Sequence, residues 1–170
     1  AVIPIEWNGL KINILDAPGY FDFVGQTEDA MSVADAAVIV VNGKAGLEVG
    51  TIKAWEICER RKIPRIFFIT GMDDPNAKYM ETVKQLKETF GKQIAIIEDG
   101  ILTGYVNVVK MGGRKFVGDN GEYVERDIPD NLESDLIPCR EQLMEAVAES
   151  DEELMDKYFS GEEFSNEEIS

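Results

Sequence analysis

Ile12-Asn13-Ile14-Leu15-Asp16-Ala17-Pro18-Gly19-Tyr20-Phe21-Asp22-Phe23 decides how the chain is read. An apolar strand ends in an acid, turns at Pro-Gly and feeds a helical segment expected from about Gln26 to Asp35. In open α/β sheets ligands sit at the carboxyl ends of strands. An Asp there can hold a hydrated Mg²⁺, which takes hard oxygen ligands and keeps several of its waters. A nearby Gly lets a backbone N–H approach an anion without a Cβ in the way. These features suit a γ-phosphate sensor, and they equally suit a strand-ending turn that binds nothing.

Working outward, Val2–Trp7 and Leu10–Leu15 flank Asn8-Gly9, a strong hairpin signal, and Pro4 places its strand at a sheet edge. Downstream, Ala36–Asn42 is a continuous apolar, β-branched run, expected to be a strand buried on both faces. Gly43–Gly46 makes a loop. Leu47, Thr51, Ala54, Trp55 and Cys58 then share a helical stripe opposite Lys53, Glu56 and Arg60. Arg65–Thr70 reads as a second buried strand. Asp74-Pro75 reads as the cap and first position of a helix with Tyr79, Val83, Leu86 and Phe90 on one face and Gly91 closing it. Strand and helix alternating at this spacing predict βαβ units and a parallel sheet.

After Gly91 the grammar changes. Ile94–Ile97, Ile101–Lys110, Arg114–Val117 and Glu122–Arg126 are strand candidates punctuated by Gly100, Gly112-Gly113 and Asn120-Gly121. Two helices are expected next, one from about Pro138 to Ala148 and one capped by Ser150 that ends before Gly161. Their apolar stripe is Leu143, Val147, Leu154 and Tyr158, and their acidic faces read as solvated. Ala1 falls in a strand already under way, and the capping box Ser165–Glu168 announces a helix near Ser170. The chain is therefore expected to be a piece of a longer polypeptide.

The totals narrow the function. Of 170 residues 44% are hydrophobic, an ordinary globular composition, and no apolar run reaches membrane-spanning length. A net charge of −16 argues against a wide grip on nucleic-acid phosphates, and the excess acid toward the C-terminus better suits a basic protein surface. There is no His, so the commonest general base and metal ligand is missing. Cys58 and Cys139 point to a reducing compartment rather than a disulfide framework.

A second motif, Thr70-Gly71-Met72-Asp73, closes the second buried strand. The Asp73 carboxylate can accept from the ring N–H and exocyclic amine of guanine, a donor pair that adenine lacks. The other reading is a loop acid that assists the following helix cap.

With both motifs in hand, the chain resembles the GTPase domain of translation elongation factor G over essentially its whole length. Asp16-Ala17-Pro18-Gly19 matches the family's Asp-x-x-Gly motif, and Thr70-Gly71-Met72-Asp73 stands where the family has Asn-Lys-Met-Asp. Residues from about Gly91 onward, notably Glu141–Glu149 and Asp151–Glu163, resemble the insertion within that domain. The resemblance implies an α/β fold of the P-loop GTPase type. Residues 1–91 would form a partial GTPase core and residues 92–170 an inserted α+β subdomain. It implies GTP or GDP with Mg²⁺, Asp16 holding the metal through water, Gly19 donating to the γ-phosphate and Asp73 reading guanine. It also implies a cytoplasmic protein acting on the ribosome, a stalk protein meeting the acidic insertion, no membrane and no sequence-specific nucleic acid.

Three departures follow. Tyr20 stands where the family has the His that positions the attacking water, and a phenol does not exchange protons near neutral pH as an imidazole does. Thr70 and Gly71 replace Asn and Lys, removing an amide and an aliphatic stem that covers the base, a loss of about 1–3 kcal/mol of guanine binding. No Gly-x-x-x-x-Gly-Lys-Ser/Thr occurs in the chain. The sheet is therefore expected to be incomplete, lacking the strand between those that end at Asp16 and Asn42. The 170 residues alone are expected not to bind GTP. A ribosome-docking module with weak or no hydrolysis is the alternative, and an unrelated phosphate-binding or response-regulator-like domain a third.

Overall fold

The Asn8-Gly9 turn joins β1 (Val2–Trp7) to β2 (Leu10–Leu15) in an antiparallel pair with Val2 opposite Leu15 and Trp7 opposite Leu10. Both turn residues take positive φ, 49° and 77°, the backbone that a tight two-residue hairpin requires. The computed structural model describes residues 1–91, 94–96, 98–101, 104–117, 122–128 and 130–169. They fall into two compact units, Ala1–Thr82 and Val83–Ser170.

In the first unit, a 3-10 turn at Phe21–Phe23 leads into α1 (Val24–Met31), which starts two residues before the expected Gln26 and stops four short of Asp35. β3 (Ala37–Asn42) and β4 (Arg65–Thr70) pair in parallel, Ala37 with Arg65 through Asn42 with Thr70, connected by α2 (Val49–Arg61). The core is Ala37, Ile39, Cys58 and Ile63, closed by Met31, Ala54, Trp55 and Phe67. Trp55 stacks on Phe67 with ring centroids 5.5 Å apart, and the Arg65 guanidinium lies 3.7 Å from the Trp55 ring centre. Each apolar side chain fully buried there contributes about 1.5–3 kcal/mol.

The expectation that β3 and β4 are buried on both faces is corrected. Ala37, Ile39 and Val41 are buried, but Val38 and Val40 are 59% and 60% exposed, as are Ile66 at 52% and Phe68 at 59% on β4. Strand side chains alternate between faces, so covering one face leaves every second residue open. α2 lies on the Ile39 side and packs Cys58 and Trp55 there. The hairpin likewise leaves an apolar face exposed, with Ile3, Ile5, Trp7, Leu10, Ile12 and Ile14 on one side by register and Pro4, Glu6, Lys11 and Asn13 on the other. β1–β2 and β3–β4 are separate two-stranded sheets.

The expected helix start at Asp74-Pro75 is also corrected, because α3 runs Tyr79–Phe90. Asp74 instead closes a local turn, its Oδ1 accepting from the backbone N–H of Asn76 at 2.8 Å and its carbonyl accepting from that of Ala77 at 2.9 Å. The side-chain chemistry that caps a helix also makes such turns. Gly91, at φ 100°, ends α3 as expected.

The second unit carries an antiparallel sheet in the order β5 (Glu98–Ile101), β6 (Gly104–Asn107), β7 (Gly112–Val117), β8 (Glu122–Arg126). Ile94–Ile96 is not a strand, and Ile97 lies outside the described residues. The expected strand Ile101–Lys110 is divided between the end of β5 and β6, with Val108–Lys110 in a turn. Gly100 lies inside β5 opposite Tyr105, and Asn120-Gly121 lies outside the described residues.

α4 (Asp130–Ala148) starts eight residues before the expected Pro138, which sits inside it. An internal Pro costs one backbone hydrogen bond. Leu136, Leu143 and Ala148 are buried on α4, and Arg140 donates to the carbonyl of Val108 at 2.9 Å. α5 (Glu152–Phe159) is capped by Asp151, which accepts from the Glu153 N–H at 2.8 Å. Ser150, the expected cap, instead donates to the Val147 carbonyl. At α6 (Asn166–Ile169) the capping box forms as read, with Ser165 N–H donating to Glu168 at 2.6 Å and Glu168 N–H donating to Ser165 Oγ at 3.3 Å.

Candidate functional site

Asp16 is the first residue after β2. Its N–H donates to the Ala1 carbonyl at 2.8 Å. This backbone tie holds the residue while its side chain stays at an exposed position. The Pro18 carbonyl accepts from Thr27 Oγ1 of α1 at 3.0 Å, so the turn after Asp16 is anchored to the helix it leads into. Ala17 and Pro18 are half-buried, Gly19 is exposed, and Tyr20 is 78% exposed.

The Gly19 carbonyl lies 3.4 Å from where a Cβ on Gly50 would stand. Gly50 is the second residue of α2, which follows β3 through a short loop. Asp16–Gly19 therefore reaches the segment that leaves the carboxyl end of β3.

Thr70–Asp73 reaches the other end of that segment. The Gly43 N–H donates to the Thr70 carbonyl at 2.8 Å, and the Gly43 carbonyl accepts from the Lys78 N–H at 2.9 Å. A Cβ on Gly43 would stand 2.7 Å from Met72 Sδ and 3.2 Å from the Thr70 carbonyl, so a side chain there would displace Met72 and crowd the neighbouring loop. Both motifs border the stretch Gly43–Gly50, with Thr70 and Met72 at its start and Gly19 at its end.

Asn42, Lys44 and Asp74 also belong here, and sequence reasoning did not assign them to the site. Asn42 Oδ1 accepts from the N–H groups of Lys44 at 2.9 Å and Ala45 at 3.1 Å. Lys44 donates to Asp74 Oδ2 at 3.0 Å. The signal that could have found them is position: each lies within four residues of the carboxyl end of a parallel strand.

The Asp74 carboxyl is held down to about 2, first by the Asn76 N–H and then by Lys44 and the Asn76 side chain. Asp73 beside it is exposed, and among the described residues its carboxylate has no hydrogen-bond partner. The structure thus separates two adjacent acids into one committed to the loop and one open to a ligand.

Among the described residues no three His, Cys, Asp or Glu side chains gather to hold a metal by themselves. Asp16 offers a single exposed carboxylate. Mg²⁺ bound to nucleotides takes one or two carboxylates, with phosphates and waters filling the remaining positions, so this donor fits that ion.

Comparison with known proteins assigns the class. The family described as "Elongation factor Tu GTP binding domain" matches residues 1–163. The chain belongs to this family. It is 36% identical over 169 residues to the elongation factor G of Thermotoga sp. (strain RQ2), a match covering 96% of this chain and 24% of that protein. To the elongation factor G of Neorickettsia sennetsu it is 36% identical over 170 residues, covering 96% and 25%. The crystal structure of ttk003000868 from Thermus thermophilus superposes with a TM-score of 0.88 at 34% identity, covering 99% of this chain and 26% of that one. The chain spans about a quarter of the length of the curated relatives it matches.

Proposed function

We propose that the polypeptide carrying this chain is a cytoplasmic elongation factor G-like GTPase that binds GTP with Mg²⁺ and hydrolyses it on the ribosome. The observation that carries this reading is the approach of both motifs to one segment, Gly43–Gly50, at the carboxyl end of β3. Residues 1–91 form the GTPase core and residues 92–170 the inserted subdomain, whose acidic helices meet a ribosomal stalk protein. The open edges of β2 and β3 fit a sheet that takes its phosphate-loop strand between them.

Asp16 would hold the metal through a water, and the ion would supply charge neutralisation at the phosphates. Ala17 and Pro18 shape the turn that lets the Gly19 N–H reach the γ-phosphate. Asp73 accepts from guanine N1–H and the 2-amino group, and Thr70, Gly71 and Met72 form the rim below it. Tyr20 orients the attacking water through its hydroxyl.

Tyr20 also favours a second reading, in which the protein docks on the ribosome and hydrolyses weakly. Phosphate release by the longer polypeptide, with and without ribosomes, separates the two. The GTPase reading predicts release stimulated by ribosomes, abolished in Asp16→Asn and absent from the 170-residue chain alone. Ribosome binding without stimulated release would establish the docking module.

A further inference from the structure

The guanine-reading motif of this chain carries Gly71 where a lysine stands in elongation factor G, and the local backbone suits a residue without a side chain. Gly71 has φ 72°, and a Cβ there would stand 3.3 Å from Asn42 Nδ2. A lysine there would take strained left-handed backbone and crowd the Asn42 amide, and the loop draws a lysine from elsewhere.

Lys44 arrives from the neighbouring turn. Asn42 Oδ1 fixes the turn through the N–H groups of Lys44 and Ala45, and Gly43 seats it against Thr70 and Met72. From there the ammonium of Lys44 bonds Asp74 Oδ2 at 3.0 Å, while Asp74 Oδ1 accepts from the Asn76 N–H at 2.8 Å and from Asn76 Nδ2 at 2.9 Å. The Asp74 carboxylate is thereby engaged at both oxygens. Its neighbour Asp73 is left as the open acceptor, on a loop tied at both ends.

We propose that Lys44 is a positioning residue of the guanine site, on the loop where Gly71 replaces the motif lysine. Through Asp74 it fixes the loop that presents Asp73. It also neutralises one of two adjacent carboxylates, so an anionic nucleotide meets a single negative charge there. The proposal rests on the guanine-site reading above and adds to it the residue that orients the reader. Exposure of the pair limits the effect to a few-fold in affinity.

The test uses the longer polypeptide carrying this chain, with Lys44→Ala, Lys44→Arg and Asp74→Ala. Affinities are measured for GDP and for inosine diphosphate, which lacks the 2-amino group, alongside thermal melting. Lys44→Ala and Asp74→Ala are each expected to weaken GDP by about three- to fivefold and inosine diphosphate by less, with Lys44→Arg restoring GDP affinity. Equal losses for both nucleotides would assign Lys44 a structural role only and overturn the proposal, as would GDP affinities unchanged from wild type. A wild-type protein that binds no guanine nucleotide would overturn the underlying guanine-site reading, and the proposal with it.

Discussion

Gly71 shows how one residue can record a local conflict between a motif and its surroundings. At φ 72° an L-residue with a Cβ pays about 1–2 kcal/mol, and here that Cβ also meets Asn42. Gly71→Ala is therefore expected to destabilise the chain by about 1–2 kcal/mol, read from urea denaturation. A variant as stable as wild type would show that the loop relaxes without cost. The sequence exposed the missing lysine at this position but not its reason, because the Asn42 amide that fills the space comes from 29 positions upstream on another strand. Asp73 and Asp74 were ambiguous for a similar cause. Adjacent acids look alike in one dimension, and the Lys44 ammonium that distinguishes them belongs to another loop.

Elements were legible where the signal is local. The Asn8-Gly9 hairpin, the parallel β3–β4 pair and the Ser165–Glu168 capping box all stand as read. Boundaries failed where one chemistry serves two ends: Asp74 builds a turn instead of a cap, Asp151 caps in place of its neighbour Ser150, and Pro138 sits within α4 instead of opening it. The capping box also has a pH signature. Lys157 and then the Ser165 N–H and hydroxyl hold the Glu168 carboxyl at about 2, well below the usual 4.5. A depressed carboxyl stabilises the fold above its unfolded value and loses that contribution as pH falls through the folded one. The box should therefore persist at pH 4.5 and open between about 4 and 2. NMR titration of the Glu168 carboxyl carbon checks it, with a midpoint near 2 in wild type that rises in Ser165→Ala. A wild-type midpoint near 4.5 would mean that the bonds to Lys157 and Ser165 do not persist in solution.

At the scale of the molecule, the fold class was readable because alternating strand and helix patterns force a parallel pair, and β3–α2–β4 supplies it. Burial was less readable. An all-apolar strand implies cover on both faces, whereas Val38, Val40, Ile66 and Phe68 are open, since cover depends on elements distant in sequence. The convergence of Asp16–Gly19 and Thr70–Asp73 on Gly43–Gly50 is likewise a three-dimensional fact, carried by close approaches at two glycines. It underlies the central claim that these motifs serve one guanine nucleotide. The most direct test replaces Asp73 with Asn in the longer polypeptide and compares GDP with xanthosine diphosphate in competition binding. The carboxylate accepts from both donors of guanine, whereas an amide offers one acceptor and one donor, which match the N–H and the 2-carbonyl of xanthine. Wild type should prefer GDP and Asp73→Asn should prefer xanthosine diphosphate, a reversal of at least about tenfold each way. An unchanged preference for GDP in Asp73→Asn would contradict the account.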